Sequence, residues 1–195
     1  MREPCCMETS SRSVYVGFGA NVGNPLDTYG RAKAVLESKL GPILKESAVY
    51  ESGALTLDGA ESQNNYCNLV LAFTTELSPR EILAVLLETE LVFKRDRSEA
   101  KRWAPRPIDL DLLFVGSEIV NEPGLILPHP ELHKRDFVLC PLLDIAPECV
   151  HPVLGQSVRE LESSLEERGY QRLILHRFEL ESCLAPTCGA TAGAA

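Results

Sequence analysis

The stretch Ile108-Asp109-Leu110-Asp111-Leu112-Leu113-Phe114-Val115 sets two carboxylates two residues apart in an otherwise apolar run, and few structures accommodate it. Pro105 and Pro107 end anything helical before it, and the run that follows suits a strand. Side chains alternate along a strand, so Asp109 and Asp111 are expected on one face and Ile108, Leu110, Leu112 and Phe114 on the other. Neighbouring carboxylates repel and are costly to desolvate, so a sheet keeps them either on a solvated face or around a cation. Arg102 and Arg106 precede the acidic pair closely, and Arg95 and Arg97 lie slightly upstream, which weighs toward the cation. Carboxylates ligate a hard ion such as magnesium, and guanidinium forks grip the phosphates that magnesium accompanies.

That chemistry must fit a chain of 195 residues with 45% hydrophobic content, enough for one domain with a real core. A formal net charge of −9 argues against a general nucleic-acid or membrane-surface binder, since either needs a basic face. No apolar run approaches the roughly 20 residues that span a bilayer, and no signal-like segment opens the chain, so a cytoplasmic location is expected. The seven cysteines form neither a disulfide framework nor a C-x-x-C knuckle, which suits a reducing compartment. Residues 1–12 are polar without periodicity, and the chain ends Gly-Ala-Thr-Ala-Gly-Ala-Ala. Residues 1–12 and 179–195 are therefore expected to be disordered tails around a single domain at 13–178.

Within that domain, Ser13–Phe18 reads as a first strand, and Gly17, Gly19 and Gly23 read as a tight turn into a helix rather than a phosphate loop, because neither G-x-x-x-x-G-K-[ST] nor G-x-G-x-x-G is present. Asn24 caps that helix and Pro25 opens it; its stripe is Leu26, Tyr29, Ala32, Leu36 and Leu40, and it stops at Gly41-Pro42. A second strand is expected near Ile43–Glu51, then a long polar loop over residues 52–65. Tyr66–Thr75 reads as a strand whose core face is Cys67, Leu69, Leu71 and Phe73, with Tyr66 and Asn68 starting the other face. An aromatic ring beside a carboxamide is what a flat heterocycle with an amide edge requires, although the same pair also suits an ordinary strand end. Ser78, Pro79 and Glu81 open the next helix, in which Glu90 falls on the inward stripe of Ile82 and Leu86 near the C-terminal end. The charged run from Lys94 to Arg102 has no apolar face; it suits a solvated loop or a phosphate-gripping one. Beyond the acidic strand, a short extended piece at Leu125–Leu127, a helix within 131–144, a capped helix at Ser157–Glu167 and a last strand or helical end at Tyr170–Phe178 are expected.

Arg102-Trp103-Ala104-Pro105-Arg106-Pro107-Ile108-Asp109-Leu110-Asp111-Leu112-Leu113 closely resembles the signature of the 6-hydroxymethyl-7,8-dihydropterin pyrophosphokinase family of folate biosynthesis. The likeness extends from about Val14 to about Pro152. It takes in Gly19-Ala20-Asn21, Tyr66-Cys67-Asn68, Glu90 with Arg95 and Arg97, Leu127-Pro128-His129-Pro130, Arg135-Asp136-Phe137 and Cys140-Pro141-Leu142.

The resemblance implies a ferredoxin-like α+β fold, an antiparallel sheet flanked by helices in a three-layer α/β/α sandwich. It also implies transfer of diphosphate from ATP to the pterin hydroxymethyl group, with release of AMP. By the same likeness Asp109 and Asp111 hold two magnesium ions, and Arg95 and Arg97 join them in catalysis. Tyr66, Asn68, Phe137, Trp103, Leu55 and Asn21 contact the pterin, while Glu90, Arg106, Ile108, His129 and Arg135 serve the ATP site. The implied partners are ATP and a reduced pterin, with other folate-pathway enzymes as neighbours. The chain departs from the family pattern in having one more residue between Arg97 and Trp103, Lys94 in place of a usual glycine, and no proline in residues 52–56. The competing readings are a homologue that binds nucleotide without turning it over, and a different metal-dependent phosphotransferase.

Overall fold

The computed structural model describes residues 11–53, 64–93 and 106–180. In chain order these form β1 (Arg12–Ala20), α1 (Pro25–Leu40), β2 (Ile43–Glu46), β3 (Val49–Ser52), β4 (Tyr66–Thr75), α2 (Pro79–Val92), β5 (Asp109–Val115), β6 (Val120–Glu122), β7 (Leu125–Leu127), α3 (Asp136–Ile145), α4 (Val158–Ser163) and β8 (Ile174–Phe178). The main sheet runs β5-β1-β4-β3-β8, with β2 also paired to β4. Every pairing in it is antiparallel, which makes this an α+β protein.

Alternation along the strands buries both faces of the sheet. Val14, Val16 and Phe18 of β1, Leu69, Leu71 and Phe73 of β4, and Leu110 and Leu112 of β5 meet Tyr29, Ala32 and Leu36 of α1 and Ile82 and Leu86 of α2. On the opposite face Val70, Ala72, Leu113 and Phe114 meet Val138, Leu139 and Leu142 of α3 and Val158 and Leu161 of α4. Local chemistry fixes the helix starts. Asn24 accepts the backbone N–H groups of Leu26 and Asp27, and Ser78 with Glu81 closes a full capping box ahead of α2.

Three strand expectations need correction. The strand foreseen over 43–51 breaks at Ser47, whose N–H donates to Val70 O while its hydroxyl accepts from Val70 N, so the side chain replaces one rung of the ladder. Two of the three glycines expected in a turn lie inside β1, which continues to Ala20, where Gly17 pairs with Asp111 and Gly19 with Asp109; Gly23 does lie in the turn, at φ 71°. Phe114 does not share a face with Leu110 and Leu112. The register of β5 against β1 slips at Tyr15/Val16, leaving Leu113 as an extra residue, and the bulge turns Phe114 onto the α3 side.

On that side His133 and His151 pack edge to face, with ring centroids 5.9 Å apart, and His151 also meets Phe114. His133 Nδ1 is buried without a hydrogen-bond partner. Burial holds both imidazoles below their ordinary value of 6.5, reinforced by Lys134 and Arg168 at His133 and by His133 at His151. As pH falls through about 6.5 the unfolded chain takes up protons that the fold refuses, so the unfolded state binds more protons and stability declines with acidification. Tm is therefore expected to drop between about pH 7.5 and pH 5.5, with a shallower drop in His133→Phe. Thermal unfolding followed across that range checks this, and a wild-type Tm that does not vary with pH contradicts it.

Candidate active site

Asp109 and Asp111 project from β5 on the same face, their Cα atoms about 6.5 Å apart by strand geometry. The positions beside them on β1 are Gly19 and Gly17, so no side chain fills the adjoining row of the sheet. One strand further, Gly19 pairs with Asn68 and Gly17 with Val70. The row Asp109-Gly19-Asn68 thus crosses three strands with a bare centre, over which a cleft opens. Tyr66, Asn68, Asp109, Asp111, Arg135 and Phe137 line it.

Asn68 is buried, and its orientation is set by its neighbours. Nδ2 donates to Ser52 Oγ (2.9 Å), Tyr50 O (3.2 Å) and Tyr66 O (3.3 Å). That turns Oδ1 toward Gly19, where a methyl group added to the glycine would lie 3.6 Å from it. On the far wall α3 brings Phe137 forward, with the Arg135 guanidinium 5.7 Å over its ring centroid. Arg106 pairs with Asp109, and its backbone is clamped by Asn21: Arg106 N donates to Asn21 Oδ1 at 2.7 Å and Asn21 N to Arg106 O at 3.1 Å.

A second cleft of about 250 Å³ follows β5 on its outer edge, lined by Leu110, Leu112, Leu125, Ile126, His129 and Pro130. Asp111 belongs to both clefts, so the acidic pair stands where they meet. His129 is tied down by its own N–H to Leu113 O (3.0 Å), and its Nδ1 accepts from Glu131 N (3.2 Å). Burial pushes this imidazole below its ordinary value, against the opposing pull of Asp111. A neutral imidazole whose Nδ1 accepts carries its proton on Nε2.

Tyr66, Asn68, Phe137, Arg106, Asp109, Asp111 and Arg135 lie together around the first cleft. Ile108 does not reach either cleft: its side chain is fully buried in the core under α1 and α2. Asn21 is buried as the clamp between β1 and the approach to β5, and Asn64 Nδ2 donates to its carbonyl. The Glu90 carboxylate accepts from Leu110 N at 2.8 Å, pinning α2 to β5 between the two aspartates. Arg95, Arg97, Trp103 and Leu55 lie outside the described residues, as does the altered loop around Lys94. Sequence reasoning missed Ser52, which no local pattern marks, and the site role of Gly17 and Gly19. Their alternation in phase with Asp109 and Asp111 was the available signal.

Among the described residues no group of three or more His, Cys, Asp and Glu side chains is placed to hold a metal, so a cation here would rest on the aspartates and complete its shell elsewhere. Magnesium binds in this way, through one or two carboxylates plus waters and phosphates, and the donor set fits it.

Comparison with known proteins agrees with the geometry. The chain is 39% identical over 150 residues to the 2-amino-4-hydroxy-6-hydroxymethyldihydropteridine pyrophosphokinase of Aquifex aeolicus, covering 77% of this chain and 90% of that one. It is 38% identical over 147 residues to the enzyme of the same name from Synechocystis, covering 75% and 72%. Among solved structures, Plasmodium falciparum HPPK-DHPS matches in fold with a TM-score of 0.66 at 17% identity, over 85% of this chain and 47% of that one. The family sequence model for 7,8-dihydro-6-hydroxymethylpterin-pyrophosphokinase matches residues 15–147, which contain both clefts and the acidic pair, and the chain belongs to that family.

Proposed function

We propose that this protein is a magnesium-dependent pyrophosphokinase of folate biosynthesis, transferring diphosphate from ATP to 6-hydroxymethyl-7,8-dihydropterin and releasing AMP. The observation that carries this reading is the position of Asp111 in both clefts, with an aromatic and carboxamide cleft on one side and an apolar cleft at the sheet edge on the other. The strand order, with α1 and α2 on one face and α3 and α4 on the other, supports a ferredoxin-like three-layer sandwich beneath it.

Asn68 Oδ1 accepts from the pterin amide edge, and Tyr66 and Phe137 contact its ring. The adenine occupies the second cleft, which leads the triphosphate past Asp111. His129, neutral and with its proton on Nε2, donates to a phosphate oxygen there. Asp109 and Asp111 would hold two magnesium ions. When bound, the metal neutralises charge on the triphosphate and lowers the pKa of the alcohol. Arg106 and Arg135 contact the phosphates; by likeness to the family, Arg95 and Arg97 join them there and Trp103 and Leu55 contact the pterin. The alcohol oxygen bonds to the β-phosphorus as that atom's bond to the oxygen bridging from the α-phosphorus breaks, and AMP departs. Catalysis is then mostly alignment and fixed charge.

Incubation with ATP, magnesium and the reduced pterin alcohol tests this. AMP and pterin diphosphate in equal amounts are expected; ADP indicates a different phosphotransferase, and absence of product indicates a binding homologue.

A further inference from the structure

We propose that the segment Leu173–Phe178, together with Asp136, is a positioning element for the pterin cleft: a strut that fixes the gap between its two walls. This rests on the pterin reading of the first cleft. β8 lies beyond residue 147, where the family match ends. Little apolar burial holds it, since only Ile174 is half-buried and the rest of the strand is exposed. An antiparallel ladder joins it to β3 along its length, and further polar attachments that reach α3 fall at both ends.

At the near end, Asp136 is a fully buried carboxylate in the first turn of α3. One oxygen accepts from Phe137 N at 2.7 Å, and the other accepts from Leu173 N and from Ile174 N at 2.9 Å. On the other side of the same residue, Leu173 O accepts from Gly53 N at 2.9 Å. Leu173 therefore touches both walls of the cleft. Through Asp136 it holds the turn that presents Phe137. Through Gly53 it holds the end of β3, where Ser52 Oγ fixes the Asn68 carboxamide. At the far end Arg177 donates to Tyr50 Oη at 3.0 Å and lies 3.5 Å from Asp144 of α3, repeating the bridge between β3 and α3 one strand-length away.

A flat heterocycle between Asn68 and Phe137 is sensitive to that gap. The second cleft lies along β5, at the edge of the sheet opposite β8, so the strut reaches the nucleotide only through Arg135, the neighbour of Asp136. Loosening the strut should therefore weaken pterin binding more than nucleotide binding.

The test uses the full chain with Asp136→Asn, which keeps the shape but offers an N–H₂ to donors that need an acceptor. Pterin KM is expected to rise about tenfold, and the KM for ATP by about threefold at most. Should Asp136→Asn not fold, Arg177→Ala releases the exposed far end, and a rise in pterin KM of about threefold is expected. A lower Tm with unchanged pterin KM in the folded variants would assign β8 a purely structural role and overturn the strut. If the wild type itself makes no pterin diphosphate, the pterin reading fails and the strut, defined by that cleft, fails with it.

Discussion

Asp111→Asn is expected to cut the rate of AMP formation by about 10³-fold or more, corresponding to at least ~4 kcal/mol of lost transition-state stabilisation. The substitution preserves volume and strand geometry but replaces an anionic ligand by a neutral carboxamide, which a hard cation accepts poorly. Asp111 borders both clefts, which in the proposed reaction puts its charge where the phosphates would meet the alcohol. The KM for pterin should stay within about threefold, because Asn68 lies two strands away across Gly19 and Gly17. Steady-state assays separate the two parameters. Near-normal turnover in Asp111→Asn would remove the metal role from this residue.

Gly19→Val is expected to abolish pterin binding while the fold stands. A methyl at Gly19 would sit 3.6 Å from Asn68 Oδ1 and 3.7 Å from Asp109 Cβ, ordinary contact distances, so the backbone tolerates it. Valine also suits a strand. Its two further methyl groups, however, stand in the empty row between the carboxamide and the acidic pair, and the pterin has no room there. A loss of affinity of about 100-fold or more is expected with Tm unchanged or raised, read by calorimetric titration with the pterin and by thermal unfolding. Binding within a few-fold of wild type would mean the heterocycle does not lie over β1.

Both predictions draw on features that differ in how visible they are along the chain. The acidic pair, the Asn24 and Ser78 caps and the inward stripes of α1 and α2 depend on residues within a few positions of one another, and each was legible. Phe114 was not, because its face depends on a bulge set by the register between β5 and β1, residues about 100 apart. Gly17 and Gly19 were misassigned for a related reason. A glycine-rich stretch is an ordinary turn signal, and only the neighbouring strand shows that these two are the vacant positions beside Asp109 and Asp111. Ile108 and Asn21 entered the expected site by resemblance; the structure uses the first as core and the second as a backbone clamp. Asp136 and Leu173 are 37 residues apart, so no local pattern could join them.

The most direct test of the acidic pair is to count bound manganese by electron paramagnetic resonance in the presence of the pterin and α,β-methylene-ATP. Wild type is expected to hold two ions per chain, about 3.5 to 4 Å apart and spin-coupled. In the Asp109→Asn/Asp111→Asn double variant, only the ion that the nucleotide carries in free solution should remain. Two coupled ions retained in that variant would contradict the assignment of these aspartates as the metal-holding pair.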